Sequence, residues 1–163
     1  MSGVPDPPLY VSVIGAAEAG PDVLADAGAV GRELARAGAI VVCGGRGGVM
    51  EAACRGAAAE GGVTVGLLPD ADRAHANPFL SVAVPTGMGE LRNGLVARAG
   101  DAVIAIAGEF GTLSEIGFAL KLGRPVVGLG TWELARGGRP VPAIENAAGP
   151  EDAVARALAL ARR

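Results

Sequence analysis

Aromatic residues, cysteine, histidine and lysine are all scarce in this chain of 163 residues, and each scarcity narrows the class of protein. With 3% aromatic residues, the core must be built from small aliphatic side chains. The two cysteines, Cys43 and Cys54, are too few for a disulfide framework and predict reduced, buried thiols. The one histidine, His75, has no partners at ligand spacing, so we expect no metal site.

Basic clusters and long apolar runs are also missing. A net charge of -3 and a pI near 5.2 argue against a nucleic-acid partner, because binding a polyanion requires a basic surface. No apolar run reaches the roughly 18 residues of a membrane span, and the N-terminal stretch MSGVPDPPLY lacks the features of a secretory signal. We therefore expect a cytoplasmic protein that contacts neither membrane nor nucleic acid. The length suits one domain over residues 1–163, with residues 1–9 as a flexible arm.

Short apolar runs that alternate with longer alanine-rich stretches are the most informative feature that is present. The runs are continuously apolar instead of alternating, which is typical of parallel strands covered by helices on both faces. The sequence therefore predicts an α/β fold, with a Rossmann-like doubly wound parallel sheet in three layers. The predicted strands are 10–17, 39–45, 63–69, 81–86, 101–108 and 125–130; the predicted helices are 22–37, 49–60, 88–99, 112–122 and 151–162; residues 70–78 and 133–146 are predicted as loops.

Glycine is concentrated where the predicted strands end. Parallel sheets bind ligands beyond these carboxyl ends, and glycine lets backbone N–H groups approach an anion there. In any one loop, a tight turn explains glycine as well as a phosphate site does. The presence of glycine at four strand ends favours a phosphate site. No P-loop and no G-x-G-x-x-G follows the first strand, which disfavours ordinary ATPases and dehydrogenases. The candidate ligand-binding residues are Gly15, Gly44, Gly45, Arg46, Gly87, Gly108, Gly111 and Thr112.

Arg92 and Glu115 follow adjacent predicted strands and form the candidate catalytic pair. A guanidinium can hold a phosphate, and a carboxylate can bind ribose hydroxyls or stabilise an oxocarbenium-like centre. Two alternatives stay open: Glu115 completes a capping box with Thr112, or Arg92 is a solvated surface arginine. A carboxylate at Glu109 would repel a phosphate unless it points away.

Two segments, GGRGGVMEAACRGAAAEGG and AGEFGTLSE, carry a resemblance to a known family. The chain resembles the Lonely Guy (SLOG, lysine-decarboxylase-like) superfamily over nearly its whole length, and in particular its molybdenum-cofactor-carrier-like branch. The second segment is similar to the superfamily signature P-G-G-x-G-T-x-x-E, and Arg92 ahead of Glu115 matches the family's catalytic arginine and glutamate.

The resemblance implies two functions. Phosphoribohydrolases of the superfamily cleave the N-glycosidic bond of nucleoside 5′-monophosphates, giving free base and ribose 5-phosphate. Here Asn93, Ala107 and Glu109 replace a lysine, a proline and a glycine of those enzymes, as in the carrier-like branch. Binding without turnover therefore ranks ahead of hydrolysis, and a sensor domain that acts on a partner protein is a third alternative.

The resemblance also implies ligands and assembly. It implies a small phosphorylated ligand, with a bound nucleotide or molybdenum cofactor and no further cofactor required, and a homodimer or higher homo-oligomer. Lysine decarboxylation is rejected, because the only lysine, Lys121, ends a predicted helix. Matched by position, the phosphate contacts are Gly44, Gly45, Gly108, Gly111 and Thr112, with Arg92 and Glu115 at the sugar or its equivalent.

Overall fold

The computed structural model describes residues 6–163 and shows a parallel sheet between two layers of helices. The predicted Rossmann-like α/β fold is thereby confirmed. Residues 1–5 of the predicted arm lie outside the described residues, and Leu9 at its end accepts a hydrogen bond of 2.9 Å from the backbone N–H of Ile40. The strands are β1 (Tyr10–Gly15), β2 (Ile40–Cys43), β3 (Thr64–Leu68), β4 (Val82–Pro85), β5 (Ala102–Ile106), β6 (Val126–Leu129), β7 (Leu134–Arg136), β8 (Arg139–Val141) and β9 (Ile144–Asn146); the helices are α1 (Pro21–Arg36), α2 (Val49–Ala59), α3 (Asn93–Ala99), α4 (Phe110–Lys121) and α5 (Pro150–Ala161).

The main sheet has seven strands in the order β4-β3-β2-β1-β5-β6-β9. The chain builds outward from β1 to β4, then returns to place β5 on the other side of β1. All neighbouring strands in this sheet are parallel. The reversal of strand order between β1 and β5 opens a crevice at their carboxyl ends, which is where open α/β sheets bind ligands.

The sheet is covered on both faces, as the continuous apolar runs predict. Every residue of β5 is buried. On one face α1, α2 and α5 pack over the sheet through valine, alanine and leucine side chains. On the other face α3 and α4 bury Val96, Ala97, Ile116 and Ala119 against it. The small core side chains follow from the scarcity of aromatic residues.

Helices α1 and α2 approach each other closely at glycine. A Cβ atom on Gly31 would lie 2.0 Å from the carbonyl oxygen of Ala53, and one on Gly56 would lie 2.0 Å from that of Gly28. Neither position has room for a side chain, so the backbones are in contact there. This packing holds α2, whose first residues reach the end of β1, against the rest of the domain.

The region 133–146, predicted as a loop, contains three short strands, and that prediction is wrong. β7 and β8 form an antiparallel hairpin whose turn residues, Gly137 and Gly138, both have positive φ. β9 pairs with β6 and becomes the edge of the main sheet. A three-residue strand carries no measurable periodicity, so its partner β6 decides its conformation.

The predicted helix 88–99 also differs from the structure. A 3₁₀ turn, Gly89–Arg92, precedes α3, and Gly89 has φ 57°. The turn changes the direction of the chain before α3 and leaves Arg92 at the junction of the two segments.

Candidate functional site

A cavity of about 520 Å³ opens at the carboxyl ends of β1, β2 and β5. We call it the strand-end cavity. Its size lies within the range of about 300 to 1,000 Å³ that is usual for small-molecule sites. The lining residues are Val13, Ile14, Gly15, Ala16, Ala17, Glu18, Gly44, Met50, Pro69, Glu90, Arg92, Asn93, Glu109, Gly111, Thr112 and Glu115.

Arg92 lies in the wall of the strand-end cavity with only 9% of its surface exposed. The alternative of a solvated surface arginine is therefore wrong. Its Nη2 donates to the carbonyl oxygen of Gly44 at 3.3 Å, and its Nη1 donates to Oδ1 of Asn93. Its Nε is buried and has no hydrogen-bond partner among the described residues. Burial lowers the pKa of Arg92, partly offset by Glu115.

Glu115 lies on the first turns of α4 and is 7% exposed. Burial raises the pKa of its carboxyl group to about 8, although nearby Arg92 acts in the opposite direction. Desolvation dominates because Oε1 of Glu115 lies 3.9 Å from Nη1 of Arg92, too far for a direct hydrogen bond. The carboxyl group is therefore mostly protonated near neutral pH.

The capping-box alternative for Glu115 is also wrong. α4 begins at Phe110, its N-cap is Glu109, and no side chain of the described part of the chain caps the helix. Thr112 is thus inside the first turn, not at the cap position that a T-x-x-E box requires. Because the carboxyl group of Glu115 does not cap the helix, it can form hydrogen bonds inside the strand-end cavity.

Four of the predicted ligand-binding residues line the strand-end cavity: Gly15, Gly44, Gly111 and Thr112. A Cβ on Gly44 would lie 2.6 Å from Nη2 of Arg92, so this glycine makes room for the guanidinium. A Cβ on Gly15 would lie 2.6 Å from the side chain of Val49, so α2 packs directly on the end of β1.

The other four predicted ligand-binding residues do not line the cavity. Arg46 forms an ion pair with Asp70 at 3.1 Å. Gly45, with φ 78°, donates its N–H to Sγ of Cys43, and Gly87, with φ 65°, donates to the carbonyl of Asp70 at 2.9 Å. Gly108 lies in an adjoining depression that also contains Trp132. Gly45, Gly87 and Gly108 all have positive φ, a conformation that glycine adopts without steric cost.

Ala107 explains one departure from the family signature. It is the only residue other than glycine with positive φ among the described residues, at 46°. Proline is held near φ −65° by its ring and could not adopt this conformation. The local backbone that precedes Gly108 therefore excludes the proline of the signature at position 107.

Two acidic residues of the cavity lining, Glu18 and Glu90, were not predicted from the sequence. They line the cavity together with Glu109 and Glu115, whereas Arg92 is the one cationic residue among the described residues of the lining. Glu109 lines the cavity, so the condition under which its carboxylate would not repel a phosphate, pointing away from the site, is not met. Glu18 could have been found, because it comes shortly after β1; Glu90 lies on a 3₁₀ turn that the sequence did not predict.

The two cysteines lie beneath the cavity as buried free thiols, with their sulfur atoms 3.5 Å apart. They form a small core cluster with Met50, which lines the cavity. Within residues 6–163, no group of three or more His, Cys, Asp or Glu side chains is placed to hold a metal ion. The same residues include no helix long and apolar enough to cross a membrane.

Comparison with known proteins places these features in a family. A model of the SLOG cluster4 family matches residues 8–154. An uncharacterized protein of Archaeoglobus fulgidus is 39% identical over 121 residues, which are 74% of this chain and 80% of that protein. The molybdenum cofactor binding protein of Rippkaea orientalis has a similar structure, with a TM-score of 0.85, 28% identity and coverage of 95% of this chain and 98% of that one. The molybdenum cofactor carrier protein of Chlamydomonas reinhardtii gives a TM-score of 0.82, 29% identity and coverage of 95% and 99%.

Proposed function

Because the chain belongs to the SLOG cluster4 family, we propose that it binds a small phosphate-bearing heterocycle in the strand-end cavity and retains it without turnover. Molybdenum cofactor, a pterin with a phosphate group, is the first candidate, and a nucleotide is the second. The similarity to proteins named for binding or carrying molybdenum cofactor supports this order. No additional cofactor is required for binding of this kind.

The observation that carries the proposal is the buried pair Arg92 and Glu115. Nε of Arg92 is a buried donor with no partner within residues 6–163, and such a group is costly unless a ligand or water satisfies it. A protonated Glu115 is a second donor, because its pKa of about 8 keeps the proton on the carboxyl group at neutral pH. Two donors on one wall suit the oxygen atoms of an anionic group.

The acidic residues of the cavity suit the other end of such a ligand. Carboxylates only accept hydrogen bonds, and Glu18 and Glu90 both line the cavity. Pterin and purine rings carry amino and ring N–H donors at their edges. A ligand with an anionic end and a donor-rich ring would therefore match both kinds of lining.

Hydrolysis of nucleoside monophosphates is the second candidate function, favoured by the placement of Arg92 and Glu115 in one cavity. Stabilising an oxocarbenium-like transition state requires the ionised carboxylate. With a pKa of about 8, only a minority of Glu115 groups are ionised at neutral pH. This protonation state favours binding over hydrolysis, and it predicts that any hydrolysis accelerates as the pH rises toward that pKa.

The test is to offer ligands to purified, ligand-free protein and measure binding and turnover separately. AMP, other nucleoside monophosphates and inorganic phosphate are titrated by calorimetry, and free base is followed by chromatography. Protein expressed in a host that makes molybdenum cofactor is analysed for bound molybdenum and for the fluorescent oxidation product of the pterin. Retained pterin or saturable AMP binding without base release supports the proposal.

Variants assign the result to the strand-end cavity. Arg92→Ala and Glu115→Ala should abolish or strongly weaken binding, whereas Glu115→Gln, which keeps a neutral donor at this position, should preserve most of it. Glu151→Gln, an exposed change at the start of α5, should have no effect. Base release by the parent protein that Glu115→Gln removes would instead establish hydrolysis. Absence of both binding and release would contradict both functions.

We also propose that the protein assembles with copies of itself through the outer surface of α3 and α4. Leu91 is 74% exposed and Phe118 is 44% exposed, and the Phe118 ring lies beside Gly94 of α3. Leu95 of α3 and Leu122, which follows the last residue of α4, add exposed apolar area nearby along the chain, and Leu91 belongs to the 3₁₀ turn before α3. Contiguous apolar surface of this kind is typical of a protein interface.

A further inference from the structure

We propose that Asn93 is a positioning residue, whose side chain holds the Arg92 guanidinium in the cavity wall and connects it to the start of α4. This inference rests on the proposed function only in so far as Arg92 contacts the ligand. The geometry itself concerns four residues, Arg92, Asn93, Ser114 and Gly111, which form a continuous chain of hydrogen bonds.

The chain of hydrogen bonds has one direction. Nη1 of Arg92 donates to Oδ1 of Asn93, Nδ2 of Asn93 donates to Oγ of Ser114 at 3.1 Å, and that hydroxyl donates to the carbonyl of Gly111 at 2.6 Å. The guanidinium has only donors, so the neighbouring side chain must supply an acceptor. The hydroxyl of Ser114 donates its proton to the carbonyl of Gly111, so towards Asn93 it can only accept. Asparagine meets both demands because it carries an acceptor and a donor on one planar amide.

Other residue types would break this chain of hydrogen bonds. Lysine at position 93, the residue of the related phosphoribohydrolases, offers no acceptor and would place a second cation beside Arg92. Aspartate would still accept from Arg92 but could not donate to Ser114. Alanine would leave donors on Arg92 without their partner, in a region where Asn93 itself is only 8% exposed.

The contacts of Arg92 show what Asn93 contributes. Glu115 is 3.9 Å from the guanidinium, so that pair does not hold the arginine by a direct hydrogen bond. The direct restraints are Asn93 on Nη1 and the Gly44 carbonyl on Nη2, at 3.3 Å. With Arg92 held in this way, Nε and the Glu115 carboxyl group remain for the ligand, and Gly111 of the same cavity is joined to the arginine through Ser114.

The first measurement is nuclear magnetic resonance of the protein labelled with ¹⁵N-arginine, which needs no ligand. The Arg92 Nε–H signal, assigned by its loss in Arg92→Lys, should be well ordered in the parent protein. Asn93→Ala should lower its order parameter, and Ser114→Ala, an exposed change that spares the core, should lower it less. Asn93→Asp keeps the acceptor and should preserve the order of Arg92. Asn146→Ala on the edge strand β9 is the control and should have no effect.

The second measurement is the affinity for AMP. Asn93→Ala should weaken binding about threefold to tenfold, the usual effect of losing one hydrogen bond, and should have no further effect in the Arg92→Ala background. If Asn93 only stabilised the fold, Asn93→Ala would lower the melting temperature. It would then leave the order parameter of Arg92 Nε–H unchanged, and its effect on AMP affinity would not depend on Arg92. An unaltered Arg92 order parameter in both Asn93→Ala and Ser114→Ala would overturn the inference. If the parent protein neither binds AMP nor retains a pterin, the proposed function fails, while the magnetic resonance comparison still decides the role of Asn93.

Discussion

At the scale of single residues, Glu115 combines two opposing influences on its protonation. Burial raises the pKa of the carboxyl group and Arg92 lowers it, and the result is a pKa of about 8 compared with an ordinary value of 4.5. The folded protein thus keeps a proton that the unfolded chain releases above its ordinary pKa. Stability must therefore fall as the pH rises between these two values, because the unfolded state binds fewer protons.

We predict that the free energy of unfolding decreases between about pH 5 and pH 8 and that Glu115→Gln removes most of this decrease, as measured by urea denaturation. One pKa unit corresponds to about 1.4 kcal/mol, so the variant should gain roughly 2 kcal/mol or more relative to the parent protein at the upper end of the range. Glu151→Gln, at an exposed position, is the matched control and should leave the slope unchanged. Parallel stability curves for the parent and Glu115→Gln would show that the carboxyl group is ionised in the folded state.

A second residue, Glu109, places a carboxylate in the lining close to the first turn of α4. We predict that Glu109→Gln increases the affinity for AMP about twofold to fivefold, since it removes a like charge from a partly exposed site. Calorimetry at low and high salt provides the check, because the gain should shrink as salt screens the charge. Weaker binding by Glu109→Gln would instead identify the carboxylate as a contact for a donor group of the ligand.

At the scale of elements, the contact between α1 and α2 is sensitive to a single methyl group. We predict that Gly31→Ala destabilises the protein by about 1 to 3 kcal/mol, because its Cβ would lie 2.0 Å from the Ala53 carbonyl and force the helices apart. Gly28→Ala, one turn away on the same helix, is the matched control. Its Cβ would meet its nearest atom at 3.6 Å, so the better helix propensity of alanine should leave stability equal or slightly higher. Equal melting temperatures for Gly31→Ala and the parent protein would contradict the close packing.

The elements differ in how well the sequence predicts them. Six strands and four of the helices were predicted near their observed positions, because continuous apolar runs between alanine-rich stretches have one stable arrangement. β9 was missed, since three residues become a strand only through pairing with β6. The helix predicted for 88–99 is divided, because Gly89 adopts positive φ and begins a 3₁₀ turn.

At the scale of the whole molecule, the exposed apolar residues of α3, of α4 and of the 3₁₀ turn before α3 predict self-association. We expect light scattering to show a dimer or larger assembly for the parent protein and a monomer for Leu91→Glu or Phe118→Glu, because a buried charge at an interface is costly. Val63→Glu replaces a side chain that is 46% exposed just before β3, and it should leave the assembly intact. A monomeric parent protein would remove the proposed interface, and dissociation by Val63→Glu as well would place the interface elsewhere.

The sequence by itself determined the class of fold, the strand ends that carry glycine, and the choice of Arg92 and Glu115 as a pair. These follow from local composition, because apolar runs specify covered strands and glycine permits close backbone approach. Only the tertiary structure decided which glycines line the cavity, that Arg92 is buried, and that Glu115 is no helix cap. Burial and the distances between side chains arise when β1, β2 and β5 end side by side. They depend on residues far apart in the sequence, so the local sequence around a residue does not predict them.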